Sequence, residues 1–443
     1  MTPLRLGLLG FGTVGSSVAR ILVERPELAD RIQLTHVFNR DVARKRVPWV
    51  PSSVTWTDNV DELLAAQPDV VVEVIGGVDP AGGWVRRALQ QGAAVVTANK
   101  QLLAAQGPEL LHLAVTNHTQ LRFEAAVGGG VPLIHGVREG LAGDNLKGVQ
   151  GILNGTSNYI LSRMAGSDEA MAPVLEDARR LGYAEADPSA DIDGDDAGAK
   201  LVVLAGIAFR RHLRLSDIPR RSIRPIAAAD FRYARTLGCT IRQISMVEAR
   251  GDGFHAFVGP ALVLRGSNFG LNMGANNVVT IVGQYGGKST FSGAGAGGPA
   301  TAVAVVSDLL ALTQRHRDHT EERRQDVPVD GEERRQGVPG DSEEWLPGTV
   351  VPPPPRPYYL RFVVKDRPGI VASIAASLAA QGINLDSMLQ EPGYDKDALP
   401  FVMTVEACEE AALGTALQEI AAAEYHAEPP LALPILLGED PRT

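Results

Sequence analysis

Cysteine is nearly absent from this 443-residue chain. Cys239 and Cys408 are the only two, too few and too far apart for a disulfide framework or a zinc-ligand spacing. No uninterrupted apolar run approaches the ~20 residues that a spanning helix needs. No secretory signal precedes the first apolar stretch, which begins at Leu4. Basic residues are outnumbered, 42 against 52 acidic, giving a net charge of −10. That balance argues against a nucleic-acid surface or a polybasic membrane patch. The expectation is a cytoplasmic protein with neither nucleic acid nor membrane as partner. What is plentiful is apolar content, 44%, in a chain long enough for two or three domains.

The residues 4–9 form a short apolar run followed by Gly10-Phe11-Gly12-Thr13-Val14-Gly15 and a helical pattern through Val18, Ile21 and Leu22. This is a G-x-G-x-x-G in strand–turn–helix context. The first glycine permits the tight turn and the second lets backbone approach a pyrophosphate. The third lets helix pack on strand, and the helix N-terminus favours the anion. The second strand, 32–38, should end near an acidic residue that grips the ribose of NAD. Asn39 and Arg40 stand there instead, with Arg44 and Lys45 beyond. A basic tip accommodates a 2′-phosphate, so NADPH is favoured, with NADH the alternative that Asp41 keeps open.

The stretch 182–200 packs Glu185, Asp187, Asp191, Asp193, Asp195 and Asp196 ahead of Lys200, and an apolar run, 201–209, follows at once. On a helix Asp196 and Lys200, four apart, share a face. A lysine held beside carboxylates at the mouth of a buried helix can bind an amino-acid substrate and move a proton. The plainer reading is a solvated acidic loop with an N-capping Asp and one i,i+4 ion pair.

Residues 1–130 alternate strands and helices as a parallel sheet with crossovers does, with a buried run at 70–75 ending in Gly76-Gly77. A helix near 300–314 completes this domain. Residues 131–312 read as an α+β domain for substrate binding and dimerisation. Residues 315–356 carry a duplicated Glu-Glu-Arg-Arg-Gln (321–325 and 332–336) and Pro352 to Pro355, the composition of a linker. Residues 357–443 read strand–helix–strand–strand–helix–strand, a ferredoxin-like module. Asp366-Arg367-Pro368-Gly369 stands at its first strand–helix turn, where N–H groups could hold a carboxylate.

These residues resemble homoserine dehydrogenase with a C-terminal ACT domain. The resemblance rests on Gly-Phe-Gly-Thr-Val-Gly, Thr-Ala-Asn-Lys (97–100), Glu-Ala-Ala-Val-Gly-Gly-Gly-Val-Pro (124–132), Gly-Ile-Leu-Asn-Gly-Thr (151–156), the 182–200 stretch, and Asp-Arg-Pro-Gly-Ile with Gly-Ile-Asn-Leu in the last domain. It covers nearly all of the chain outside the linker. It implies an α/β protein: a Rossmann-type dinucleotide domain, an α+β substrate and dimerisation domain, and a ferredoxin-like regulatory domain.

The implied reaction is reduction of L-aspartate 4-semialdehyde to L-homoserine by NAD(P)H, on the route to threonine, methionine and isoleucine. By the resemblance Gly10, Phe11, Gly12, Thr13, Val14, Gly15, Arg40, Lys100, Gly182 and Gly297 meet the nucleotide. Glu185, Asp191 and Asp196 hold the substrate, Lys200 is the general acid/base, and Lys100 assists the reacting oxygen. Glu124 with the backbone of Val127, Gly129 and Val131 would hold a monovalent cation, Na+. Threonine is the expected effector of the ACT domain, and a homodimer or homotetramer the expected assembly.

The chemistry agrees, since hydride addition to an aldehyde puts negative charge on oxygen and calls for a cation and a proton source. A thioester-forming semialdehyde dehydrogenase would need a nucleophilic cysteine, and neither cysteine sits in such a motif. A non-catalytic sensor built from the same domains is the other alternative. Three departures from the family pattern stand out. Gly198 costs about 1 kcal/mol of helix stability, Pro299-Ala300 replaces Met-Pro, and the linker is long enough to question coupling of the ACT domain to the rest.

Overall fold

The computed structural model describes residues 3–324 and 344–436, and the chain forms two compact units. The first gathers Met1–Val149, Ala199–Asp217 and Thr280–Gly348; the second gathers Gln150–Gly198, Ile218–Val279 and Thr349–Thr443.

The first unit is built on a six-stranded parallel sheet in the order Thr55–Thr57, Ile32–Phe38, Leu4–Leu9, Val70–Glu73, Ala94–Thr97, Leu121–Arg122. This is the doubly wound order, with its switch point beside Leu4–Leu9. Val70, Val71 and Val72 are wholly buried, as a central strand covered by helices on both faces requires. The last strand stops at Arg122, and Glu124–Ala126 form a single turn. The late helix is longer than the 300–314 read from sequence. It spans Gly298–Arg324 and packs along the helix Thr13–Glu24. At Gly298 a Cβ would fall 2.9 Å from the Thr13 carbonyl oxygen, so only glycine lets the two helices start this close.

Of the linker expected at 315–356, residues 315–324 continue that helix and 325–343 lie outside the described residues. Its end is anything but loose. Trp345 is buried, its ring seated over two glycines whose Cβ atoms would come within 2.7 Å (Gly107) and 2.4 Å (Gly206) of it. Phe123 meets it edge-on at 5.9 Å, and Leu346–Pro347 pairs with Arg211–His212.

The second unit carries an antiparallel hairpin of two twelve-residue strands, Cys239–Arg250 with Gly253–Leu264. The helices Gly155–Ser167, Met171–Arg180 and Ala228–Thr236 bury Ile160, Leu161, Val174 and Phe231 against Ile241, Leu262 and Tyr359. The terminal module follows the expected order of elements: Arg356–Val364, Ile370–Ala380, Leu385–Leu389, Leu399–Cys408, Glu410–Ala421, His426–Leu436. Its strands lie fourth–first–third–second, and the fourth pairs with Gly253–Leu264 through Leu262 with Ile435 and Val263 with Leu436. The module is therefore joined to the rest of its unit by a shared sheet, whatever the linker does. Buried Asp230 reinforces the junction, accepting from Arg361 Nη1 at 2.6 Å and Tyr359 Oη at 2.7 Å.

Three short pieces line the free side of Gly253–Leu264. Phe254 bonds residues 349 and 351, Val258 bonds residues 219 and 221, and residues 435 and 436 follow. No described helix is long and apolar enough to cross a membrane.

His255 sits on this strand, 4% exposed, with its pKa pushed down to about 4 by burial and then by Arg356 and Arg250. Its folded-state pKa lies below the unfolded value near 6.5, so the unfolded chain takes up the proton first. Stability should therefore fall as pH drops from about 6.5 toward 4, by at most about 3 kcal/mol from this group. Urea titration at pH 7 and pH 4.5 checks it: His255→Gln should show a smaller loss between the two, and an equal loss would count against His255.

Candidate active site

In the first unit the Gly10–Gly15 turn has the form the sequence predicts. Gly10 adopts φ +106°, and a Cβ on Gly15 would stand 2.0 Å from the Gly10 carbonyl oxygen. At Gly12 a Cβ would meet nothing within 4 Å, leaving open the side where a pyrophosphate approaches. The helix Thr13–Glu24 starts there with no side chain capping it, so its first N–H groups and dipole favour an anion. The site fits a dinucleotide. Phe11 points the other way, packed on Trp56 at 4.7 Å and Trp49 at 6.0 Å, so only its backbone faces the turn. Thr13 is exposed and Val14 half-buried. Arg40 is exposed just past Ile32–Phe38, on a turn closed by Asn39 and Asp41.

Lys100 opens the helix Lys100–Thr116, which Asn99 caps through Leu102 N. Asn99 Nδ2 also donates to the Gly77 carbonyl at 2.6 Å. Glu73, buried at its strand end, accepts from Ile75 N, Gly76 N and Thr97 Oγ1 at 2.8, 3.1 and 2.6 Å. Sequence reasoning gave Glu73 no role. A carboxylate interrupting the β-branched run at 70–75 was the available signal. It ties the Gly76-Gly77 turn to the strand leading into Lys100.

Glu124 is buried and accepts from Ile134 N at 2.9 Å and His135 N at 2.7 Å. Burial pushes its pKa up, with the His135 backbone bond opposing. Asp308 accepts from Glu124 N at 2.8 Å and lies 3.0 Å from His135 Nε2; that contact raises the His135 pKa. Val127 and Val131 are buried in the same loop. Gly129 takes φ +58° against residues 295 and 296, where a Cβ would come within 2.7 Å of backbone. Gly297, at φ +120°, opens onto free space.

In the second unit Asn154 caps the helix Gly155–Ser167 through Ser157 N. Its Nδ2 donates to Asp191 Oδ1 at 2.6 Å and to Asp196 Oδ2 at 2.8 Å. One buried amide thus uses both protons to hold two carboxylates together. Asn154 stood in the Gly-Ile-Leu-Asn-Gly-Thr motif without an assigned role; its partners lie 37 and 42 residues on, beyond what local spacing reveals. Glu185 is exposed on the preceding loop, outside this hydrogen-bonded group, and Gly182 is exposed at φ +78°.

Asp193 and Asp195 turn to arginines instead. Asp193 takes both forks of Arg224 at 2.9 Å, which holds its pKa down, and Asp195 takes Arg220 at 2.8 Å. Asp195 and Asp196 begin the helix Asp195–Phe209, and Lys200, buried, stands one turn beyond Asp196 on it. The arrangement offers paired carboxylates for an ammonium and, one turn on along the same helix, a lysine for a proton. Among the described residues no cluster of three or more His, Cys, Asp or Glu could hold a metal ion.

Comparison with known proteins gives the family. The family model for the homoserine dehydrogenase NAD-binding domain matches residues 10–124, that for homoserine dehydrogenase 132–310, and the ACT domain model 358–425. The homoserine dehydrogenase of Neisseria gonorrhoeae is 33% identical over 437 residues, 97% of this chain and 98% of that one. The crystal structure of a homoserine dehydrogenase from Thiobacillus denitrificans superimposes with a TM-score of 0.86 at 32% identity, covering 98% of each chain. A hyperthermophilic archaeal homoserine dehydrogenase in complex with NADPH gives 0.62 at 26% identity, over 71% of this chain and 98% of that one. With the dinucleotide turn, the carboxylate pair and the terminal module all in place, this chain belongs to the homoserine dehydrogenase family.

Proposed function

We propose that this NAD(P)-dependent oxidoreductase reduces L-aspartate 4-semialdehyde to L-homoserine through the residues just described. The observation that carries the proposal is the Asn154-bridged pair Asp191 and Asp196, one helical turn from Lys200. The pair binds the substrate ammonium, with Glu185 the more distant third carboxylate. Lys200 donates a proton from Nζ to the oxygen where charge develops, and Lys100 supplies a second positive charge to it. The nicotinamide, when bound, supplies the hydride. Gly10, Gly12, Thr13, Val14, Gly15, Gly182 and Gly297 approach the nucleotide with little side-chain bulk, and Arg40 faces the 2′-phosphate of NADPH.

A monovalent cation such as Na+ suits the 124–131 loop. It would offset the buried charge of Glu124 and take carbonyl oxygens of Val127, Gly129 and Val131. The terminal module offers an effector such as threonine a cavity of about 450 Å³, lined by Asp366, Arg367, Gly369, Ile370, Gln390 and Phe401. We place the enzyme in the cytoplasm as a homodimer or homotetramer. The sensor alternative is not favoured, since the chain matches catalytic family members along nearly its whole length.

Loss of nicotinamide absorbance on mixing the protein with aspartate semialdehyde tests the reading. NADPH should be consumed faster than NADH at low concentration, and Arg40→Ala should raise KM for NADPH roughly tenfold with little change for NADH. Absence of turnover with either nucleotide would overturn the reading.

A further inference from the structure

Residues 219–226, Pro-Arg-Arg-Ser-Ile-Arg-Pro-Ile, belong to neither the dinucleotide turn nor the carboxylate pair. They run as a strap along the strand Gly253–Leu264, with Arg221 N donating to Val258 O at 2.8 Å and Val258 N to Pro219 O at 3.0 Å. Through Ser222 the segment is extended and its side chains alternate in direction, while residues 223–225 turn, and the strap as a whole separates two sets of partners. Arg220, Ser222 and Arg224 face the acidic loop. Arg220 holds Asp195; Ser222 Oγ donates to Asp193 at 2.6 Å; Arg224 forks onto Asp193. Ile223 N adds a bond to Ile192 O at 3.1 Å. These bonds pin the loop between Asp191 and Asp196 and on to Asp195, the immediate neighbour of Asp196.

Arg221 faces the terminal module. Its guanidinium pairs with Glu410, in the first turn of the helix Glu410–Ala421, and donates to Ala432 O at 3.4 Å. One residue before the strap ends, the Pro225 carbonyl accepts from Arg361 of the module's first strand at 3.1 Å. The strap has little room to slide on its strand, since a Cβ on Gly259 would lie 2.9 Å from Arg221 Cβ.

We propose that this strap is a positioning element shared by the substrate carboxylates and the ACT module, and that Arg221 couples the two. The proposal rests on the assignment of Asp191 and Asp196 to the substrate ammonium. A shift of the helix Glu410–Ala421 or the strand His426–Leu436 moves Arg221, and the alternate residues of the same backbone carry that movement to Asp193 and Asp195. The reverse holds as well: substrate on the pair stiffens the module's seat, as reciprocity of coupling requires.

The test uses the full-length enzyme and four variants, with KM for aspartate semialdehyde, KM for NADPH and kcat measured on each. Arg221→Ala and Glu410→Gln should each raise KM for the semialdehyde about three- to tenfold, the scale of coupling along such networks. KM for NADPH and kcat should stay at the wild-type value. In the double variant the Glu410→Gln effect should vanish, since Arg221 carries it, and Arg221→Lys should recover part of the loss. Glu410 is well exposed, 37% at its side chain, so Glu410→Gln reads the coupling even if Arg221→Ala folds poorly. Asp196→Ala is the control. If it raises KM while Glu410→Gln and Arg221→Ala leave it unchanged, the strap proposal is overturned and the substrate assignment stands. If Asp196→Ala leaves KM unchanged, both are overturned.

Discussion

Replacing Lys200 with alanine should lower kcat by about 10²–10⁴, the usual worth of a positioned proton donor, while NADPH binding persists. The expectation follows from placement. Lys200 is buried, 9% exposed, on the helix Asp195–Phe209, whereas the glycine turn that would hold the nucleotide lies at Gly10–Gly15. On the proposed assignment, removing the ammonium takes away both the proton and a charge for the developing alkoxide, but no part of the turn. Arginine keeps the charge and cannot release the proton at neutral pH, so Lys200→Arg should stay near the alanine variant in rate. Steady-state kcat together with fluorescence titration of NADPH separates the outcomes. Should nucleotide affinity fall as far as kcat does, Lys200 would be a structural residue of the helix and the proton would have to come from elsewhere.

The second large effect concerns stability. Trp345→Ala should destabilise the protein by about 3–5 kcal/mol, the range for truncating a buried aromatic. The indole is 4% exposed and lies over Gly107 and Gly206, neither of which has a side chain to fill the space it would vacate. Both glycines sit in helices, Lys100–Thr116 and Asp195–Phe209, whose backbones cannot collapse onto the void. Gly206→Ala should be costly for the opposite reason, because its Cβ would fall 2.4 Å from the ring, and overpacking of that kind costs about 1–3 kcal/mol. In the Trp345→Ala background the same change should be close to neutral or favourable. Urea midpoints of the two single variants and the double variant provide the check; additivity would mean that ring and glycine do not share one notch.

The sequence was most legible where structure is made by neighbours in the chain. The Gly10–Gly15 turn and the strand–helix order of the last domain are local, and each carries its own composition signal. The placement of Asp196 and Lys200 one turn apart on a helix needed only a helical period. What stayed hidden depends on contacts between distant segments. Asn154 stands in a motif that opens a helix, and nothing near it announces that its side-chain N–H groups reach Asp191 and Asp196. Trp345 lies in a charged, proline-rich stretch, and an aromatic among such residues was the one hint of an anchor. The arginines of 219–226 look like a solvated basic patch until the fold brings Asp193, Asp195 and Glu410 to alternate sides. Glu185 goes the other way: spacing put it beside Asp191 and Asp196, and the loop leaves it exposed.

The three short pieces along Gly253–Leu264 have a consequence for how this chain behaves when cut. A strand with bare N–H and C=O groups on one flank is a template on which other copies can add. Here that edge is sealed piecemeal by parts of the chain far apart in sequence, residues 219–221, 349–351 and 435–436. A fragment ending before the terminal module would uncover the stretch around Leu262 and Val263, both apolar and β-prone. Such a truncation would yield a self-associating protein rather than an unregulated enzyme, so the module protects the sheet against aggregation regardless of any ligand it binds.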